Sequence, residues 1–316
     1  MTQGDVSWPE LPYEAWKDTC KTLHLWSQIV GKVRLACTPW INHGWHVTLY
    51  VTSRGLTTSP IPHGDRTFQV DFDFIDHRLD ITTSDGGTAA LGLAPRSVAD
   101  FYHAFMAALG ELQLQVRIHG SPNELKDPIP FARDETHGAY DSLYAHRFWR
   151  ALTSAAAVFG DFRGGFRGKC SPVHFFWGGF DLAVTRFSGR TAPVHPGGFP
   201  HLPDWVTREA YSHEVSSAGF WPGNDDSPHA MFYSYAYPAP EGIMDGSVGP
   251  ALAGWDNGFS EFVLPYEAVQ SSDTPERDVM TFLESTYTLA ADLARWDRAS
   301  LEWPPGGRPG AFQRGA

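Results

Sequence analysis

The chain has 316 residues, of which 42% are hydrophobic and 19% are charged, and its formal net charge is −12. This length exceeds that of a usual single core, so two modules, or one large domain with two halves, are expected. No Lys/Arg-rich stripe compensates for the negative charge, which argues against general binding to nucleic acid or to an anionic membrane. The 12 Trp, 21 Phe and 11 Tyr provide large packing surfaces that line cores first and pockets second.

The cysteines and the two ends of the chain favour a cytoplasmic protein. Cys20, Cys37 and Cys170 form no CxxC pair, which indicates neither a disulfide framework nor a cysteine-rich zinc site. The N-terminus lacks a basic start followed by an apolar run, and no stretch approaches the length of a transmembrane helix. The Pro/Gly-rich residues 303–316 are predicted to form a flexible tail.

The first half of the chain, residues 1–120, is predicted to contain strands and then a helix. A helical pattern occupies residues 96–111, directly after Pro95. Period-2 alternation and β-branched or aromatic content predict strands near 44–53, 67–75, 78–84, 88–93 and 113–119.

Residues 121–160 are predicted to connect the halves, with three prolines in 121–136 and a helix near 138–160. The second half, residues 161–302, ends in a long helix near 275–298. Its strands are predicted near 171–187, 212–221, 229–238 and 258–264. Runs of strands followed by helices predict an α+β fold with mostly antiparallel sheets, because a parallel sheet would alternate strand and helix throughout.

An internal match suggests that the halves are related. "LYVTSRGLTTSPIPHG", from Leu49, and "LAVTRFSGRTAPVHPG", from Leu182, share six identities in 16 ungapped positions. Strands and then a closing helix follow each copy. This order predicts two related halves, each a mostly antiparallel sheet with a following helix, packed around a central cleft.

Several longer stretches carry a family resemblance. "HLWSQIVGKVRLA", "NHGWHVTLYVTSRGLTTSPIP", "FDFIDHRL", "GKCSPVHFFWGGFDLAVTRFSGR", "EAYSHEVSSAGFWPG" and "FYSYAYPAP" occur in this order between Trp8 and Glu302. Together they resemble the signature stretches of the bacterial family catalogued as domain of unknown function 5996. The resemblance covers essentially the whole folded chain and implies no assigned activity, so it brings no catalytic residues with it.

The familiar catalytic and nucleotide-binding motifs are missing. The sequence contains no GxGxxG after a strand, no GxxxxGK[ST], no GxSxG and no HExxH. This disfavours the commonest dinucleotide, nucleotide, serine-hydrolase and zincin functions. The remaining candidates are histidines and carboxylates, since the chain contains 14 His.

Three residues of the second half are the main candidates for catalysis or metal binding. His213 and Glu214 begin a strand of small residues, but neighbours point to opposite faces of a regular strand, so both reach one site only at a bulge or a strand end. His174 lies among apolar residues, shortly before Gly178 and Gly179, which mark a bulge or a close approach. The alternative is a surface glutamate and core histidines with ordinary hydrogen bonds.

In the first half, "VDFDFIDH" offers Asp73 and His77 as candidate binding residues. Alternation places Val70 on one face of this strand and Asp71, Asp73 and His77 on the other. A solvated sheet face explains the two aspartates equally well, because neighbouring carboxylates without a cation repel each other.

Four aromatic residues are candidates for the walls of a pocket: Trp177, Trp221, Tyr233 and Tyr235. Two functions remain open. The first is an enzyme that acts on a small polar organic molecule, in which His174, His213 and Glu214 serve as acid and base or hold a divalent iron, zinc or manganese ion. The alternative is a non-catalytic protein that binds a small molecule in an aromatic-lined cleft. The sequence leaves the oligomeric state open.

Overall fold

The computed structural model describes residues 7–304 and shows an α+β fold with two six-stranded antiparallel sheets. The helices of this part of the chain are α1 Tyr13–Cys37, α2 Val98–Glu111, α3 Ser142–Gly164, α4 Asp204–Ala210, α5 Tyr266–Gln270, α6 Pro275–Leu293 and α7 Arg298–Leu301. Its strands are β1 Tyr50–Val51, β2 Gly55–Thr57, β3 Ile61–His63, β4 Arg66–Asp73, β5 Arg78–Thr83, β6 Thr88–Gly92, β7 His174–Phe176, β8 Asp181–Thr191, β9 His213–Trp221, β10 Met231–Tyr237, β11 Gly254–Asp256 and β12 Glu261–Pro265.

The first sheet has the order β1-β2-β4-β5-β6. Two short strands share one edge of β4: β2 pairs with its last residues and β3 pairs with its first residues. Alternation decides which face of β4 is buried: Phe68, Val70 and Phe72 enter the core, and the residues between them are less buried. The predicted strands 67–75, 78–84 and 88–93 correspond to β4, β5 and β6. A simple alternating pattern was therefore sufficient to find this sheet.

The second sheet has the order β11-β12-β10-β9-β8-β7 and is antiparallel throughout. Helices α3 and α6 pack on one of its faces, where Leu182 and Val184 of β8 are fully buried. The odd-numbered residues of β8 lie on the opposite face. This second face is the floor of the cavity described below.

Helix α1 was not predicted, although its 25 residues make it the longest helix of the described chain. Its first residue follows Pro12, which provides no capping side chain, and most of its middle is buried on every side. Only a narrow polar stripe of His24, Gln28 and Lys32 runs along this part, so the two patterns by which a sequence indicates a helix, a cap and a wide polar face, are weak. It packs against α2, α3 and β3.

Two predicted strands are not strands. Leu114 and Val116 are buried and the residues between and beside them are exposed, so the alternation in 113–119 is genuine, but the segment joins neither sheet. Of residues 44–53, only Tyr50–Val51 belong to a strand, because a left-handed residue at His43 begins a loop there.

The two matched segments of the internal repeat also fold differently. The first is divided among the short strands β1, β2 and β3, whereas the second continues as the single 11-residue strand β8. In both sheets, however, the matched segment pairs antiparallel with the strand that follows it, β2 and β3 with β4 and β8 with β9. The relation between the two halves stays a prediction.

Both halves contribute to one hydrophobic core, which includes Trp26 of α1, Phe101 of α2 and Phe232 of β10. Of the predicted tail, only the first two residues belong to the described chain. Within residues 7–304, no helix is both long enough and apolar enough to cross a membrane.

An aromatic cavity with two partly buried carboxylates

A cavity of about 730 Å³ lies over the open face of the second sheet. Its floor is formed by β8, β9 and β10. Its walls come from the end of α1, from residues 40–47 and 119–124, and from residues 199–211, which include helix α4. The first sheet contributes no residue to it. Most of the lining is apolar, and aromatic side chains supply much of it: Trp40, Trp45, Phe176, Trp177, Phe187, Phe199, Trp205, Tyr211, Tyr233 and Tyr235.

A glycine allows a hydrogen bond to form across the floor. Gly219 of β9 lies between Ala183 of β8 and Tyr233 of β10 in the strand register. A Cβ atom at Gly219 would lie 2.3 Å from the hydroxyl oxygen of Tyr233, so the tyrosine ring occupies the space of the absent side chain. The Tyr233 hydroxyl thereby crosses β9 and donates a hydrogen bond to Oδ2 of Asp181.

Helix α1 holds two loops of the cavity through three polar residues spaced four apart, which therefore share one face of the helix. His24 Nε2 donates to the carbonyl of Gly178 at 2.8 Å. The amide of Gln28 pairs with the backbone of Asn123, accepting from its N–H at 2.8 Å and donating to its carbonyl at 3.0 Å. Lys32 donates to the Asn123 side chain. The helix thus fixes residues 123 and 178 relative to each other.

This arrangement places Glu124 against Gly178 and Gly179. A Cβ atom at Gly178 would lie 2.0 Å from Oε1 of Glu124, so the carboxylate fills the space that a side chain would need. A Cβ atom at Gly179 would lie 2.7 Å from Oδ1 of Asp181 and 3.9 Å from Oε2 of Glu124. The two carboxylates are therefore neighbours beside Gly179.

Burial changes the acidity of these groups. It raises the pKa of Glu124 to about 7, with a further contribution from the charge of Asp181, and raises the pKa of Asp181 to about 6 against the hydrogen bond from Tyr233. Glu261, close enough to Asp181 to feel its charge, also has a pKa raised by burial to about 7. Burial lowers the pKa of Lys32 to about 8. Within residues 7–304, no cation forms an ion pair with any of the three carboxylates.

The aromatic walls depend on one further glycine. Trp177 is 6% exposed and its indole N–H donates to the carbonyl of Val47 at 2.7 Å. A Cβ atom at Gly31 of α1 would lie 2.2 Å from the indole ring, so only glycine leaves room for it there. At the outer rim, the exposed rings of Trp40 and Trp205 pack 5.0 Å apart between centroids.

Two hydrogen-bonded pairs complete the polar part of the floor. The hydroxyls of Tyr211 and Tyr235 are 2.7 Å apart, and those of Thr185 and Ser217 are 2.9 Å apart. Each pair uses one of its two hydroxyl hydrogens. The floor therefore offers hydroxyl groups to a ligand in addition to the carboxylates, and the Thr207 hydroxyl in the wall has no partner in the described chain.

Three of the four predicted wall residues, Trp177, Tyr233 and Tyr235, line the cavity. The fourth, Trp221, packs against Phe259 at 6.0 Å between centroids and is not part of the lining. Asp181, Glu124 and Lys32 were not predicted. Their signals were the carboxylate that follows the glycine pair in "WGGFD" and the four-residue spacing of His24, Gln28 and Lys32.

His174 is completely buried beside the cavity but does not line it. The ring lies near Trp45, Tyr50 and Phe176, and neither nitrogen has a hydrogen-bond partner in the described chain. Burial, with a smaller effect of the charges of Arg163 and Arg34, lowers the pKa of this imidazole to about 3. The ring is therefore neutral at physiological pH.

His213 and Glu214 point to opposite faces of β9, as a regular strand requires. His213 lies on the cavity face, with its ring 5.9 Å from that of His43. Glu214 lies on the other face and binds Arg190 at 2.6 Å. The structure therefore does not bring His174, His213 and Glu214 together.

The two candidates of the first half lie in the other sheet, away from the cavity. Asp73 is 4% exposed, accepts from Arg54 at 2.6 Å and from the N–H groups of Ile75 and Asp76, and thereby shapes the turn after β4. His77 in that turn contacts the hydroxyl of Tyr140 at 2.8 Å. These contacts account for both side chains as structural groups.

The residues proposed as iron, zinc or manganese ligands do not fit such an ion, because Glu214 is engaged by Arg190 on the wrong face of the sheet. Across residues 7–304, no three His, Cys, Asp or Glu side chains are grouped so that they could hold a metal.

A family model described as "Family of unknown function (DUF5996)" matches residues 8–303, nearly the whole chain. The chain belongs to this family. No similarity to a curated protein or to a solved structure is found for it. The cavity is the feature of this DUF5996 member that points to a function.

Proposed function

We propose that the protein binds a small organic molecule in the cavity over the second sheet, with the apolar part of the ligand against the aromatic walls and a polar group at Asp181 and Glu124. The volume of about 730 Å³ lies in the range of small-molecule sites. The observation that carries the proposal is the pair of neighbouring, unpaired carboxylates at the edge of an otherwise mainly apolar cavity.

The cost of this arrangement supports a functional role. Asp181 and Glu124 are half-buried without an ion-pair partner in the described chain, and removing carboxylates from water without a cation costs stability. A chain under selection for stability alone would replace them with amides or apolar residues. The proposal includes that the ligand is a small molecule and not nucleic acid, which the net charge of −12 supports. It also includes a cytoplasmic location, which the cysteine pattern supports.

Binding is tested with Nile red, a neutral aromatic dye whose fluorescence rises in apolar surroundings. We expect saturable binding to the wild-type protein and its loss in Ala183→Phe and in Thr185→Phe, since both side chains lie on the cavity floor. Ala90→Phe, on an exposed position of β6, is the matched control and should bind as the wild type does. Equal binding by all four folded proteins would contradict the proposal.

Acid–base catalysis is a second candidate function, because Asp181 and Glu124 have pKa values raised to about 6 and about 7. Two such groups side by side can hold one proton between them near neutral pH, so one can donate while the other accepts. For a compound that binds, NMR of the mixture over time detects conversion. Asp181→Asn and Glu124→Gln should then stop conversion, and a conversion that survives both changes would exclude this role.

A further inference from the structure

We propose that the ligand carries a protonated amine, which Asp181 and Glu124 hold together beside Gly179. This inference rests on the proposed binding function and adds the chemical class of the ligand. Buried charges in proteins are normally paired, and an unpaired buried carboxylate loses its hydration without compensation. A cation supplied by the ligand provides that compensation.

The position of the two carboxylates suits a single small cation. Oδ1 of Asp181 and Oε2 of Glu124 both face the space that a side chain at Gly179 would enter, at 2.7 and 3.9 Å from that Cβ position. Oδ2 of Asp181 already accepts from Tyr233, which leaves Oδ1 for the ligand. An ammonium group has three N–H donors, so it can satisfy both carboxylates at once.

The surroundings also favour a cation over an anion. Trp177 and Tyr233 line the cavity near the carboxylates, and the faces of such rings attract cations. The ammonium of Lys32 already lies 5.7 Å from the Trp177 ring centre. Lys32 is engaged with Asn123 and is the one cation whose charge acts on Glu124 among the described residues. A ligand carboxylate would meet a net negative charge there.

The inference includes a pH dependence. The amine binds the ionised carboxylates, and Asp181 and Glu124 lose their protons in the free protein at about pH 6 and about pH 7. Affinity for an amine should therefore rise between pH 5 and pH 8, while that of a neutral compound of the same shape stays constant. Two further groups near the carboxylates titrate in this pH range. Glu261 lies close enough to Asp181 for their charges to interact, and Lys32, whose pKa is lowered to about 8, begins to lose its charge near pH 8.

The test uses three indole compounds of similar size: tryptamine, which is a cation, 3-ethylindole, which is neutral, and indole-3-propionate, which is an anion. Calorimetric titration of the full-length protein at pH 8 should show tryptamine binding at least tenfold more tightly than 3-ethylindole, and the anion binding most weakly. This advantage should shrink at pH 5. In the double variant Asp181→Asn/Glu124→Gln it should disappear, while the affinity for 3-ethylindole is retained.

The double variant Asp65→Asn/Glu111→Gln, at two exposed positions, changes the net charge equally and should keep the advantage. Equal affinities for tryptamine and 3-ethylindole, or tightest binding of the anion, would overturn the amine inference and leave ligand binding intact. If none of the three binds but Nile red does, the amine inference fails alone. If Nile red does not bind either, the proposed binding function fails with it.

Discussion

Replacing Gly31 by alanine tests whether helix α1 sets the position of the cavity wall. The new Cβ atom would lie 2.2 Å from two atoms of the Trp177 ring, which is far below any normal contact distance. The ring is buried and hydrogen-bonded to Val47, so it cannot move aside freely. Two effects of opposite sign therefore compete.

Alanine stabilises a helix interior by about 1 kcal/mol relative to glycine. Against this, overpacking a core costs about 1–3 kcal/mol, and the strained indole hydrogen bond adds about 1 kcal/mol. We therefore expect Gly31→Ala to lower the free energy of unfolding by about 1–3 kcal/mol, a fall in Tm of about 2–6 °C. The displaced Trp177 ring should also weaken Nile red binding.

Gly160→Ala in α3 is the matched control, because no atom lies within 4 Å of the new Cβ there. This variant has the favourable helix propensity of alanine without the clash, so its free energy of unfolding should rise by about 1 kcal/mol. Urea denaturation measures both variants, and Trp177→Leu in the Gly31→Ala background should recover part of the loss by removing the clash. If Gly31→Ala is as stable as Gly160→Ala, the inference that α1 sets the wall is refuted.

Two further predictions concern buried charges. Glu124→Gln should raise Tm at pH 8 and leave it unchanged at pH 4. The pKa of Glu124 is about 7 in the folded protein and 4.5 for a free side chain, so the wild-type protein loses stability as the pH rises from 4.5 to 7. The loss is about 1–3 kcal/mol at most. Glu111→Gln, at an exposed site, should leave Tm unchanged at both pH values. An effect of Glu124→Gln that does not depend on pH would contradict this electrostatic explanation. Arg186→Lys should lower the free energy of unfolding in urea by about 1–3 kcal/mol, although it keeps the charge. The reason is that the planar guanidinium of Arg186 lies 3.3 Å from the centre of the Phe162 ring and donates a hydrogen bond to the Phe162 carbonyl. Arg208→Lys at the surface should be neutral, and an equally neutral Arg186→Lys would show that charge alone matters there.

Some elements were predicted well because one of their faces is buried and the other is not. Strands β4 and β5 alternate between buried and less buried residues, and α2 and α6 have apolar stripes, so local pattern and final position agree. Strand β9 was also found, although six of its residues in a row are buried. Helix α1 was not predicted because most of its middle is buried on every face. Residues 113–119 were mistaken for a strand because alternation reports burial and not backbone pairing.

The candidate site was predicted in part, through its aromatic walls and its glycines. Gly178 and Gly179 were recognised as a place of close approach, but the approaching group is Glu124, which comes from a distant loop, and not a ligand of His174. A sequence shows that a glycine leaves space. Which residue fills that space depends on the tertiary structure, and here α1 decides it through Gln28.

The contacts of α1 have a consequence for how the protein folds. His24 and Gly178 are 154 residues apart in the chain, and Gln28 and Asn123 are 95 apart, so the cavity wall closes only when distant segments have met. Contacts of such long range form slowly, because the chain entropy of closing large loops is lost before they give any stabilisation. The second sheet can therefore form while its cavity is still open. A ligand that binds only the assembled cavity would therefore favour the folded state during refolding by mass action.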